Sequence, residues 1–172
     1  ETCNMKKTIA MILSLLLVSG LLAGCGSSSD TTTETKDVDL TEFYNSLESK
    51  YEWGDGYMAD IEGELLENYY PGISEIPTKQ FIAKTPMMSS VVSEIVLMQC
   101  ETEEDATKAA SILQERIDYQ VGDDTNPGGA WYPESIESWK KAEVIQQGTY
   151  VALIASAEHQ QEIVDAFNDL FA

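Results

Sequence analysis

Apart from carboxylates, the chain of 172 residues holds few side chains that could carry out catalysis. His159 is the only histidine, so a Ser-His-Asp triad or a histidine-based zinc site would depend on it, and the sequence holds no Gly-x-Ser-x-Gly motif. Its position near the start of the last predicted helix equally suits an ordinary solvent-facing residue. The acidic residues are numerous enough for a glycosidase-type carboxylate pair, but their number alone points to no particular pair.

One short loop is rich in the oxygen ligands that calcium prefers. Asp123, Asp124 and Asn126 follow one another closely, and carboxylate and amide oxygens are typical calcium ligands. An EF-hand loop that began at Asp124 would need a carboxylate at its twelfth position, where Ser135 stands, and Pro127 interrupts the motif. The loop is therefore a candidate calcium site that departs from the known pattern, and the alternative is an irregular connection without metal.

Two pairs of aromatic residues are candidates for contact with a ligand: Trp53 with Tyr57, and Trp131 with Tyr132. Aromatic rings of this kind can stack on a sugar or a peptide, and two glycines beside the second pair predict a mobile loop. The alternative is that both pairs close the ends of the hydrophobic core.

The clearest motif lies near the amino terminus. The basic segment Met5-Lys6-Lys7 precedes a mostly apolar run over residues 9–22, which is short for a membrane-spanning helix. The run ends in Leu22-Ala23-Gly24-Cys25, which resembles the lipobox of bacterial lipoproteins. Small residues there admit a peptidase, and the cysteine thiol accepts a diacylglyceryl group, whose two chains suffice for stable anchoring. We therefore predict a signal peptide over residues 1–24, with its true start at Met5, and lipid attachment at Cys25.

The charge of the chain limits its partners. The formal net charge is −20, and removal of residues 1–24, with one acid and two lysines, makes it still more negative. Such a surface disfavours nucleic acid and anionic lipid, so attachment to a membrane must be covalent. Like charge also favours a monomer. Because Cys3 precedes the predicted start and Cys25 carries lipid, Cys100 has no disulfide partner, and its apolar neighbours predict a small buried side chain.

Composition divides the chain into residues 25–39, a lipidated cysteine with a flexible polar tether, and residues 40–172, one acidic globular domain. The order of elements in the domain predicts an α+β fold, a two-layer sandwich of about four mainly antiparallel strands with helices packed on one face. Apolar spacing and turn residues predict helices over 41–51, 58–70, 103–119 and 133–139, a last helix from Ser156 to Leu170, and strands over 80–84, 91–99, 143–146 and 149–156.

Several short segments in a fixed order carry a family resemblance that spans roughly residues 65–170. They are Tyr70-Pro71-Gly72-Ile73, Pro86-Met87-Met88, Glu94-Ile95, Ala106 through Arg116, Gln120, Tyr132-Pro133 and Gly148-Thr149-Tyr150-Val151-Ala152-Leu153. Together they resemble the domain of unknown function 4358 family, small lipoproteins of Gram-positive bacteria. The resemblance implies a tethered extracytoplasmic domain and brings no catalytic or binding residues with it.

These observations predict a lipoprotein on the outer face of the cytoplasmic membrane, bound to it through covalent lipid and without a cofactor. The leading hypothesis is a non-catalytic module that binds an envelope protein or a wall-derived ligand. The alternatives are an envelope enzyme that uses a carboxylate pair, for example on glycans, and a purely structural envelope component. Acids that converge in a deep pocket would favour the enzyme, whereas a shallow patch with solvated acids would favour the binding module.

The lipid anchor has a direct test. In a host that processes lipoproteins, Cys25→Ser should move the chain from the membrane fraction to the soluble fraction, because the thioether that carries both acyl chains cannot form. The matched control is Cys100→Ala, which keeps Cys25 and should stay with the membranes. Fractionation of Cys25→Ser with membranes at the wild-type level would show that the anchor is assigned wrongly.

Overall fold

The computed structural model describes residues 36–54 and 57–172. The predicted signal peptide, the lipobox with Cys25, and the predicted tether up to residue 35 lie outside the described residues. Within the described part, no helix has both the length and the apolar character needed to cross a membrane.

The described chain forms five α-helices and five strands, with one 3₁₀ turn over Ile73–Glu75. Several predicted elements are confirmed, among them the long helix capped by Thr102 and the short helix that begins at Pro133. In chain order the elements are α1 (Leu40–Lys50), β1 (Met58–Asp60), α2 (Gly63–Tyr69), β2 (Thr78–Pro86), β3 (Ser93–Cys100), α3 (Glu103–Val121), α4 (Pro133–Trp139), β4 (Glu143–Gln147), β5 (Tyr150–Ser156) and α5 (Gln160–Asp169).

The strands form one sheet in the order β1-β2-β3-β5-β4, and every pair of neighbours is antiparallel. β3 and β5 lie at the centre, in a register that pairs Ile95 with Ile154 and Leu97 with Ala152. Both are almost wholly buried, as their near-continuous apolar sequences require of strands covered on two faces. The α+β class is therefore confirmed.

Two details of the predicted sandwich need correction: the sheet has five strands rather than about four, and helices cover both of its faces rather than one. Alternate residues of a strand point to opposite faces. Val96 and Met98 accordingly pack in the cluster that contains α3, whereas Ile95 and Leu97 pack in the cluster that contains α1 and α5. A strand that is apolar on both sides needs a helical layer on each.

Two predicted helices begin later than their apolar spacing suggests. The segment 58–70 divides into β1 and α2, because Ala59 pairs with Thr85 at the edge of the sheet before the helix starts at Gly63. Ser156 does not cap the last helix: it pairs with Ser93 as the end of β5, and α5 starts at Gln160 after His159.

The folded unit begins slightly before residue 40. The compact unit spans residues 35–172. Val38 is buried and its backbone N–H donates to the hydroxyl of Tyr150, while Asp39 caps α1 by accepting from the N–H groups of Thr41 and Glu42. All members of the two core clusters lie between Val38 and Phe171, so residues 35–172 contain a complete core.

Cys100 is fully buried at the end of β3, as predicted. Burial, with a smaller contribution from the charge of Asp105, raises the pKa of its thiol to about 11. The thiol is therefore protonated at neutral pH, which is the state of a structural rather than a nucleophilic cysteine.

Candidate functional site

One cleft of about 660 Å³ opens where β2 ends and β3 begins. The carboxyl-terminal half of α3, the loop over residues 129–132 and α4 complete its walls. It is lined by Tyr69, Thr85, Pro86, Met87, Ser89, Val91, Val92, Ser93, Glu94, Arg116, Gln120, Gly129, Ala130, Trp131, Tyr132, Ser135 and Trp139. The volume lies in the range of sites for small molecules.

The floor of the cleft is a buried ion pair between Glu94 of β3 and Arg116 of α3. Arg116 donates from Nε to Glu94 Oε1 at 2.9 Å and from Nη2 to Glu94 Oε2 at 3.0 Å, a bidentate geometry. The two residues are only 3% and 6% exposed, and they are the only charged residues that are buried in the described part of the chain. Buried charges persist only when they are paired and hydrogen-bonded, so each residue requires the other.

Two hydroxyl groups complete the hydrogen bonding of the Glu94 carboxylate. The hydroxyl of Tyr70 donates to Glu94 Oε1 at 2.5 Å, and that of Thr85 donates more weakly to Oε2 at 3.5 Å. Burial, together with the negative charge of Glu94, raises the pKa of Tyr70 well above its usual value. The phenol therefore stays protonated and remains a donor throughout the physiological pH range.

Aromatic rings hold the guanidinium in place. The Cζ atom of Arg116 lies 3.8 Å from the ring centroid of Tyr69 and 5.5 Å from that of Trp139. Burial acts to lower the pKa of Arg116, but the hydrogen bonds and charge of Glu94 outweigh it and raise the pKa above its usual value. Arg116 is therefore a fixed cation between two rings, an arrangement that suits the planar guanidinium.

The rim of the cleft is aromatic and open to solvent. Trp131 is 90% exposed, Tyr132 is 55% exposed, and Met87 lies exposed on the strand side. The first two were candidates for ligand contact, and they line this cleft. The alternative interpretation, in which they close the end of the core, does not fit Trp131 at 90% exposure, and neither residue belongs to the two core clusters.

The other candidate pair lies elsewhere. The rings of Trp53 and Tyr57 stack on each other with centroids 5.9 Å apart, and neither lines the cleft. Trp53 is half-buried against the cluster formed with α1 and α5, next to Tyr51. For Trp53 the structure therefore supports the core interpretation. The two aromatic pairs are not brought together.

In the predicted calcium loop, one carboxylate oxygen of Asp123 is used for hydrogen bonds within the loop. Asp123 Oδ1 accepts from the backbone N–H groups of Thr125 and Asn126 and from the Thr125 hydroxyl, an Asx turn. These bonds, led by that of the Thr125 hydroxyl, lower the pKa of Asp123. In residues 36–54 and 57–172, no group of three or more His, Cys, Asp or Glu side chains is arranged to hold a metal ion. Calcium at Asp123, Asp124 and Asn126 stays a prediction without geometric support.

His159 lies on the face of the sheet opposite the cleft. It precedes α5 with a positive φ of 62°, its ring stacks on Tyr51 at 4.3 Å, and Nδ1 is 3.2 Å from Glu162 Oε1. The side chain is partly exposed, as expected of a residue near a helix start. It has no contact with the cleft.

The sequence analysis named Trp131 and Tyr132, which lie at the rim of the cleft, as candidates for ligand contact, but it did not find the floor. The available signal was a single acid, Glu94, inside the apolar run of β3, together with Arg116 on the stripe of α3 that also presents Leu113 and Ile117 to the core. An acid and a base, each alone among buried apolar residues, predict a buried pair.

Fold and site together define a class: a small α+β domain with an aromatic-rimmed cleft above a buried ion pair. The family model described as "Domain of unknown function (DUF4358)" matches residues 51–156. The chain belongs to this family, which confirms the resemblance found in the sequence. No curated protein and no solved structure matches the chain.

Some of the segments that carried the resemblance meet at the cleft, although they are distant in sequence. Pro86, Met87, Glu94, Arg116, Gln120 and Tyr132 line it, and Tyr70 bonds its floor. The segment Gly148 to Leu153 lies instead at and in the buried strand β5, so the resemblance includes both the cleft and the core.

We predict that loss of Arg116 is strongly destabilising. Arg116→Met leaves the Glu94 carboxylate buried without its partner, which costs about 3–5 kcal/mol of the free energy of unfolding. Urea denaturation of residues 35–172 measures the change. The matched control on the same helix is Lys108→Met, which breaks an exposed pair with Glu104 and should leave stability close to wild type. Equal and small losses in both variants would contradict the assignment.

Proposed function

We propose that this protein is a lipid-anchored extracytoplasmic binding module whose ligand occupies the cleft above Glu94 and Arg116. The observation that carries the proposal is an open site with exposed aromatic rings over a fixed polar floor. Preformed clefts with apolar walls and a few placed polar groups are the usual form of small-ligand sites. Trp131 at 90% exposure on the rim has no core to stabilise and is available to a ligand.

The competing hypothesis of a carboxylate-pair enzyme receives less support. Within residues 36–54 and 57–172, Glu94 is the only acidic residue that lines the cleft, and each of its oxygens already accepts a hydrogen bond from Arg116. Glycoside hydrolysis by the common mechanisms needs two carboxyl groups on either side of the bond that breaks. A lone carboxylate neutralised by a guanidinium serves neither as acid nor as nucleophile in that scheme.

The position of the cleft suits a tethered module. The chain enters the folded unit at Val38, which hydrogen-bonds Tyr150 and Gln80. Gln80 in turn bonds Gln99, near the end of β3. Glu94 lies at the other end of the strand, roughly 17 Å away at about 3.3 Å per residue. The segment that enters at Val38 therefore does not line the cleft.

A stabilisation screen tests the proposal. Residues 35–172 are heated with neutral sugars, amino acids, muropeptides, and calcium or other divalent ions. A ligand that binds only the folded state adds about 2.7 kcal/mol at a hundredfold excess over its Kd. We expect one class to raise the melting temperature and Trp131→Ala to remove the effect.

The control is Tyr57→Ala, which changes an aromatic ring of the other candidate pair. It should keep the ligand-induced shift in melting temperature. A shift that survives Trp131→Ala but disappears in Tyr57→Ala would place the ligand at Trp53 and Tyr57 instead. Absence of a shift with every class would contradict a small-ligand role for the cleft.

A further inference from the structure

We infer that the cleft takes a neutral, hydroxyl-rich ring, that is, an uncharged saccharide unit stacked on Trp131. The inference rests on the proposed function, because it names the ligand class of the same site. Three properties of the cleft lead to it: its charge, its ring surfaces and its free hydrogen-bonding groups.

The charge of the cleft disfavours ions of either sign. Among the residues that the structure describes, Glu94 and Arg116 are the only charged side chains in its lining, and they neutralise each other at 2.9 and 3.0 Å. An anion would meet a guanidinium already paired with a carboxylate, in a chain of formal net charge −20. A cation would find the Glu94 carboxylate already bonded to Arg116 and Tyr70. A neutral ligand meets neither obstacle.

The rim offers flat apolar surfaces next to water. Trp131 and Tyr132 are largely exposed, and Tyr69 lies in the wall with its ring against Arg116. Large amphipathic rings that stand exposed at a cleft suit a ligand with one apolar face and a polar edge. A pyranose ring has this form, with C–H groups on its face and hydroxyls at its edge.

The floor and walls supply donors and acceptors without adding charge. Arg116 has five N–H donors, and Glu94 engages those of Nε and Nη2. Arg116 lines the cleft, so its guanidinium edge belongs to the polar floor. Thr85, Ser89 and Gln120 add hydroxyl and amide groups that both donate and accept. This mixture matches sugar hydroxyls, which also do both.

A panel of sugars of similar size separates these properties. N-acetylglucosamine is the neutral ring, glucosamine the cation, glucuronate the anion and sorbitol an open chain without a ring. Binding to residues 35–172 is measured by titration calorimetry. We expect N-acetylglucosamine to bind, and the other three to bind at least about tenfold more weakly. Equal or tighter binding of a charged sugar, or no binding of the neutral ring, would overturn the inference.

Substitutions at the rim locate the ring. Trp131→Ala should raise the Kd for N-acetylglucosamine about tenfold, and Trp131→Phe, which keeps an aromatic face, should restore most of the affinity. Because Trp131 is exposed, neither change removes core packing. Tyr57→Ala is the control and should leave the Kd unchanged. An unchanged Kd in Trp131→Ala would overturn the stacking.

The two proposals fail in different ways. If amino acids or a charged sugar bind and Trp131→Ala abolishes that binding, the saccharide inference is wrong and the cleft remains the binding site. If no sugar binds and no class in the stabilisation screen raises the melting temperature, the proposed function is wrong as well.

Discussion

The burial of β3 and β5 on both faces is the constraint from which the rest of the structure follows. Two central strands without a solvent-facing side require apolar residues at nearly every position and a layer of helices above and below. α3 covers one face, and α1 and α5 cover the other. β1 and β4 form the two edges of the sheet. With both faces covered, the ends of the sheet remain accessible, and the entry of the chain and the cleft lie at opposite ends.

Glu94 is the one charged residue in the two buried central strands, and the cleft is built around it. A charge in a strand buried on both faces must be compensated where it lies. Arg116 from α3 and Tyr70 from the end of α2 hydrogen-bond it, and the ring of Tyr69 packs on Arg116. Buried ion pairs add little to stability compared with well-packed apolar residues of similar volume. We therefore infer that the ion pair is present because it gives the cleft a polar floor, and not because it stabilises the fold.

Local signals in the sequence predicted the elements well, and contacts between distant residues explain the errors. Thr102, Pro133 and the apolar run of β3 act through neighbours a few residues away, so their helices and strand could be predicted. The division of 58–70 into β1 and α2 depends on pairing with Thr85, which no local pattern shows. The floor of the cleft joins residues about twenty positions apart in sequence. The rim could be proposed from composition, but only the structure separates Trp131 from Trp53.

The free energy of unfolding of the triple variant Tyr70→Phe, Glu94→Leu and Arg116→Met tests the central claim most directly, because Tyr70→Phe removes the buried hydroxyl that would otherwise lose its acceptor. If the pair serves the cleft, replacing both charges with apolar side chains leaves the fold intact, and urea denaturation should give a stability equal to or above that of the wild type. A loss of about 3 kcal/mol or more, comparable to breaking the pair from one side, would show that the fold itself depends on these charges. Such a loss would contradict the assignment of the ion pair to the cleft.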